Sequence, residues 1–175
     1  SAFGASINIL TDLISKTPYF KNSNSIGSYN TLKNTFKFST GILNDYFEFS
    51  GRLSKIDSDG YIDRSSSDLK SYFLQVNYKK ENTLIKALSF GGHEITYQAW
   101  NGIDEETLQS DRTYNPSGMY IDQSGDIQFY DNEVDNYKQD HYQIHWSQII
   151  NSRLTSNLSF NLTNGLGYYE QYKEN

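Results

Sequence analysis

Apolar and polar residues alternate along most of this chain with a period of two, the spacing of strands that have one apolar face. Over residues 44–56, Phe47, Phe49, Gly51 and Leu53 fall on one side, with Glu48, Ser50, Arg52 and Ser54 on the other. Residues 31–40 split Leu32, Phe36 and Phe38 from Lys33, Thr35 and Lys37, and residues 71–79 split Tyr72, Leu74, Val76 and Tyr78 from Phe73, Gln75, Asn77 and Lys79. Residues 141–150 set Tyr142, Ile144, Trp146 and Ile150 against His141, Gln143, His145 and Ser147. Residues 157–163 set Leu158, Phe160 and Leu162 against Asn157, Ser159, Asn161 and Thr163. Two less regular stretches, 19–26 (mostly polar) and 83–90 (apolar in part on both faces), bring the expectation to about seven strands.

The connections alternate in length. Only residues 43–45, 80–82 and 151–156 separate strands two and three, four and five, and six and seven, whereas 57–67 and 95–139 are longer. A connection of roughly forty residues is uncommon inside a compact soluble domain. Short turns at one end, long loops at the other and strands of about ten residues predict an all-β, antiparallel transmembrane β-barrel. Lys33, Lys37, Glu48, Arg52, Lys79 and His141 make the polar sets too charged for a dry core, so they are assigned to an aqueous lumen and the apolar sets to lipid. Two alternatives fit the alternation: a complete eight-stranded outer-membrane barrel of structural or adhesive role, and a secreted carbohydrate-binding β-sandwich.

Composition sharpens this picture. Aromatic residues make up 15% of the 175 positions, including 15 Tyr and 10 Phe, while hydrophobic residues total only 36%. That balance suits strands and turns. A net charge of −6 argues against a nucleic-acid partner, since tracking phosphates requires excess Lys and Arg. With no Cys there is neither a disulfide framework nor a thiolate metal site. No apolar run reaches the length of a transmembrane helix. The chain opens on Ser1 without an initiating Met and closes in polar sequence after Tyr168, so it is expected to be a fragment.

Candidate chemistry is sparse. Asp57, Asp59, Gly60 and Asp63 lack the further acidic ligands of a calcium loop and read as a solvated turn. His141 and His145 share a face about 13 Å apart along a strand, too far to hold one ion. There is no Gly-x-Ser-x-Gly elbow, phosphate-cradling Gly-Lys-Ser/Thr or His-Glu-x-x-His. No enzyme activity, metal or cofactor is expected.

The first residues add a resemblance. Gly4, Ala5, Ile7, Asn8, Ile9 and Thr11 match the strand that closes the plug domain of TonB-dependent outer-membrane receptors, and the run Gly27-Ser28-Tyr29-Asn30-Thr31 resembles a connection between that family's first barrel strands. Asp59-Gly60-Tyr61 and the segment from Thr96 to Gly102 are also similar to the siderophore, haem and cobalamin-importing branch. No energy-coupling box, plug bulk or C-terminal aromatic strand is present. The resemblance implies that residues 1–14 end a plug, and that residues 15–175 begin a 22-stranded barrel with an extracellular loop at about 95–139. It further implies the outer membrane of a Gram-negative bacterium, a TonB-type energy-coupling partner engaged through an upstream region, and import of a scarce nutrient. The cargo would be a metal chelate or corrinoid, gripped by aromatic and hydrogen-bonding residues of the long loop. Tyr97, Trp100, Asn101, Arg112 and Tyr114 are the candidate ligand contacts, because they follow strand five near the expected mouth. The alternative is a loop whose aromatics pack on one another.

Overall fold

The computed structural model describes residues 14–173 together with Gly4 and Thr11. Its strands are β1 (Tyr19–Ile26), β2 (Leu32–Ser39), β3 (Phe47–Ser58), β4 (Ser67–Lys80), β5 (Thr83–Tyr97), β6 (Met119–Ile121), β7 (Ile127–Phe129), β8 (Val134–Asn151) and β9 (Leu154–Glu170), with one short helix, α1 (Glu105–Ser110). β1, β2, β3, β4, β5, β8 and β9 pair in that order into one antiparallel sheet, and β6 and β7 form a separate hairpin within the long connection. The expected all-β antiparallel architecture is therefore present. The sheet is open: β1 and β9 are its edges and do not pair with each other. Among the described residues no second sheet packs face to face on it, so the layer a β-sandwich requires is not among them.

Three sequence expectations are adjusted. The long connection runs over 98–133 rather than 95–139, because backbone pairing continues past the last apolar positions, as at His93 with Lys138 and Glu94 with Tyr137. The turn between β8 and β9 shortens to Ser152-Arg153. Ile150 drops out of the register row expected for it: the register shifts between Ile149 and Asn151, and Ile150 is the unpaired residue of a bulge. Of the plug-exit motif, Ala5, Ile7, Asn8 and Ile9 lie outside the described residues, as does most of the segment 1–14 assigned to a plug. Gly4 is exposed and Thr11 half-buried.

Local chemistry explains the tight turns. The β2–β3 turn closes with Asn44 and Asp45 at φ 47° and 64°, a region short polar side chains tolerate better than others. Tyr29 and Asn30 do the same between β1 and β2, at 59° and 53°.

Burial is inverted relative to a soluble sheet. Among the described residues the buried apolar side chain is Leu88, whereas Ser39, Glu48, Ser50, Gln75 and Asn77, all on the polar face of β2–β4, are buried. Glu48, 2% exposed, accepts hydrogen bonds from Ser39 Oγ at 2.6 Å, Asn77 Nδ2 at 2.6 Å and Ser50 Oγ at 3.3 Å. Leu88 belongs to the same face, in the register row Ser50–Gln75–Leu88–Gln143.

The opposite face carries the apolar sets in consecutive rows. Phe47–Tyr78–Ile85–Trp146–Leu158 lies nearest the short turns, followed by Phe49–Val76–Ala87–Ile144–Phe160. Next come Phe38–Gly51–Leu74–Ser89–Tyr142–Leu162 and Phe36–Leu53–Tyr72–Gly91–Asp140–Asn164. Phe160 and Leu162 are 63% and 64% exposed. Rows two residues apart span about 6.6 Å each, so this belt extends roughly 20 Å along the strands between its outermost rows. Beyond it the same face turns charged, with Lys55, Lys70, His93 and Lys138 in one row.

Candidate functional site

A pair of glycines in the middle of β5 thins the sheet on both sides. Gly91 lies on the apolar face, where an added Cβ would sit 2.3 Å from the carbonyl oxygen of Gln139. Gly92 lies on the polar face, where a Cβ would sit 3.0 Å from the carbonyl oxygen of Lys70. Such close backbone approach is a recognised use of glycine within a strand.

On the polar face this leaves a hollow of about 520 Å³ walled by Arg52, Phe73, Phe90, Glu94, Tyr137 and His141. Arg52, Phe73, Phe90 and His141 form one register row across four strands. The imidazole of His141 stacks on Phe90 with centroids 4.7 Å apart and planes inclined by 16°, and Phe73 follows at 6.1 Å from Phe90. His141 is steadied by Thr163 Oγ1 at 2.9 Å and Gln139 Oε1 at 3.1 Å. The hollow thus offers an aromatic strip, one guanidinium, one carboxylate and hydrogen-bonding edges, suited to gripping an amphipathic ligand. His145 lies 2.9 Å from Ser159 Oγ, but its other ring nitrogen meets the Gln143 amide oxygen at 3.1 Å, where a nucleophile-activating triad would have a carboxylate. Among the described residues no three metal-ligating side chains converge.

The five loop residues singled out from the sequence do not line this hollow. Tyr97 anchors the long connection: its hydroxyl donates to the backbone oxygens of Tyr130 at 2.8 Å and Ser117 at 3.3 Å. Asn101 donates to Ser117 Oγ at 3.1 Å, and Tyr114 donates to Met119 Sδ at 3.3 Å. Trp100 remains open to solvent, 58% exposed, with its ring edge-on to Tyr169 at 6.4 Å. Arg112 is exposed.

The long connection is tied down at its base. Asn115, buried, donates to the backbone oxygens of Asp63 at 2.9 Å and Gln98 at 3.0 Å, joining the connection to the β3–β4 loop. Arg64 stacks its guanidinium 3.6 Å from the centroid of Phe129 and donates to the backbone oxygen of Asn115. Gln171 donates to Gln98 Oε1 at 2.9 Å, and the Tyr172 backbone N–H donates to Glu133 at 2.9 Å, fastening the end of β9 to the same base. Asp104 caps α1 by accepting from the Thr107 backbone N–H at 2.7 Å, which holds its carboxyl below the usual carboxylate range. Asp122 is lowered likewise, chiefly by the Asp126 backbone N–H, with Ser124 N–H adding to it. Tyr130 donates to the Glu170 carboxylate, and that hydrogen bond raises its phenol above the ordinary tyrosine range.

Sequence reasoning placed Arg52, Phe73 and His141 on the polar face but missed the hollow they share with Phe90. Its signal was the Gly91-Gly92 pair inside an otherwise apolar strand. No protein-family model, curated protein or solved structure matches the chain. What the fold and its faces define is a class: an open, antiparallel, two-faced β wall with structured loops at one end.

Proposed function

We propose that this chain is barrel wall from an outer-membrane active transporter of the TonB-dependent type, which imports a scarce nutrient such as an iron chelate, haem or a corrinoid. One observation carries the reading. The polar face buries hydrogen-bonded carboxylate and amide groups, while the aromatic and aliphatic face lies open over four register rows. Water penalises that apolar exposure, and hydrocarbon removes the penalty. At the roughly 35–45° strand tilt of such barrels the belt covers about 15 Å of height plus its side chains, the central part of their roughly 25 Å apolar band. The polar face then borders an aqueous lumen. The Arg52–Phe73–Phe90–His141 hollow and the exposed Trp100 offer successive contacts to cargo moving inward from the loops. Energy relayed by a TonB-type partner lowers the hold on the cargo, which requires a coupled state of weaker affinity.

The two tryptophans test the membrane part directly, because Trp146 lies in the belt and Trp100 in the loops. In liposomes containing brominated acyl chains, Trp146 fluorescence (read in Trp100→Phe) should be quenched several-fold more than Trp100 fluorescence (read in Trp146→Phe). Equal, weak quenching of both would return the chain to the soluble β-sandwich alternative. The transport part is tested by deleting the gene and measuring growth with iron or cobalamin as the limiting nutrient.

A further inference from the structure

We propose that the apolar face of β3 and β4 carries a binding seat for a phosphorylated glycolipid, at the border where the belt gives way to charge; the proposal rests on the membrane reading above. Three successive register rows on this face are Leu53–Tyr72, Lys55–Lys70 and Asp57–Asp68. From the belt towards the loops the order is apolar, cationic, anionic. Each charged row places like charges directly across the ladder from one another, which is unfavourable for the sheet itself. The offsetting ion pairs run along the strands instead, Lys55 to Asp57 at 2.9 Å and Lys70 to Asp68 at 3.0 Å. Exposed pairs of this kind contribute at most about 1 kcal/mol, so both ammonium groups can turn to a stronger anion. His93 and Lys138 continue the cationic row onto β5 and β8.

Below that row lies a hollow of about 660 Å³ walled by Phe36, Leu53, Tyr72 and Tyr142. The Tyr72 hydroxyl is turned to Asp140 at 2.9 Å, and Lys138 lies 3.5 Å from the same carboxylate. The Tyr72 hydroxyl and the Asp140 carboxylate are thereby engaged internally, which leaves the ring faces of Phe36, Tyr72 and Tyr142 and the methyl groups of Leu53 for an acyl chain. Beyond the lysines, Asp68 Oδ1 is buried without a hydrogen-bond partner among the described residues. The Asp57 and Asp68 side chains are otherwise about a third exposed, at 38% and 35%, so their outward oxygens can accept from sugar hydroxyls.

A phosphorylated glycolipid presents acyl chain, phosphate and sugar hydroxyls in the same order as this face presents apolar, cationic and anionic rows. Phosphate draws the lysines as a charge-assisted acceptor, and the carboxylates behind them take hydroxyl protons. A phosphatidylserine head would instead set its carboxylate against Asp57 and Asp68.

The test uses the intact protein in detergent, with a bis-phosphorylated, acylated glucosamine disaccharide as probe and native mass spectrometry as readout. The probe is expected to bind at least tenfold more tightly than its dephosphorylated form or phosphatidylserine. Lys55→Gln/Lys70→Gln should lose at least tenfold of that affinity, and Asp57→Asn/Asp68→Asn about threefold. Trp146 quenching by brominated lipid, unchanged in both variants, shows that they still insert. Equal binding of the three lipids, or full binding by an inserted lysine variant, overturns the seat and leaves the membrane reading standing. Absence of Trp146 quenching in the unsubstituted protein removes both.

Discussion

Glu48 occupies a position where a soluble sheet would bury an aliphatic side chain. It is nearly inaccessible, and its two oxygens gather donors from three neighbouring residues on β2, β3 and β4. Removing the acceptor strands those donors, and a buried unpaired polar group costs more than the net worth of the bond it lost. Glu48→Ala is therefore expected to destabilise the wall by about 2–4 kcal/mol, and Glu48→Gln by roughly half as much, because the amide oxygen still accepts. Urea midpoints of the intact protein in detergent check this; a midpoint for Glu48→Ala equal to that of the parent would remove Glu48 from its role. Gln75 poses the opposite problem. It is 1% exposed, and neither its amide nitrogen nor its oxygen has a partner among the described residues.

At the scale of elements, the long connection holds its shape through side chain to backbone bonds rather than an apolar core. Helix α1 depends on the Asp104 cap, and the tight turn after β6 on Asp122. Both carboxyls are held below the ordinary range, so their stabilisation is fully present above the unfolded-state value and is lost as pH falls through the lowered one. Amide protection at Thr107, Ser124 and Asp126 should thus be constant from neutral pH down to about pH 4 and collapse below it. Asp104→Asn keeps the cap and removes the pH dependence at Thr107; an unchanged profile in that variant would refute the assignment. The Tyr130–Glu170 contact has the reverse sign, holding up to the ordinary tyrosine range and failing as pH rises through the raised value.

At the scale of the whole molecule, the open sheet leaves β1 and β9 as edges without a further partner strand among the described residues. β9 is the longer edge, and Leu158, Phe160, Leu162 and Leu166 project from it well exposed. A long apolar edge is a template for further strands, in a barrel or in an aggregate. The 175-residue chain alone in plain buffer is expected to sediment as large assemblies, and to disperse in detergent micelles that cover the belt. A stable monomer in plain buffer would mean that the apolar face finds its cover within the chain.

The sequence by itself determined which residues share a face, because alternation is a local property of an extended backbone and needs no partner strand. Seven strands, their antiparallel order through short turns, and the polar character of the face holding Glu48, Gln75 and His141 were all legible in that way. Register was not, since it joins residues far apart in the chain. Only the tertiary structure aligned Arg52, Phe73, Phe90 and His141 into one strip, set Lys55 opposite Lys70, and carried β4, β5, β8 and β9 beyond their apolar stretches. It also bonded Tyr97 and Asn101 to the loop as anchors while leaving Trp100 open. Backbone pairing extends wherever two strands stay in step, whatever their side chains, so the ladder decides length and neighbourhood while the alternating pattern decides only sides.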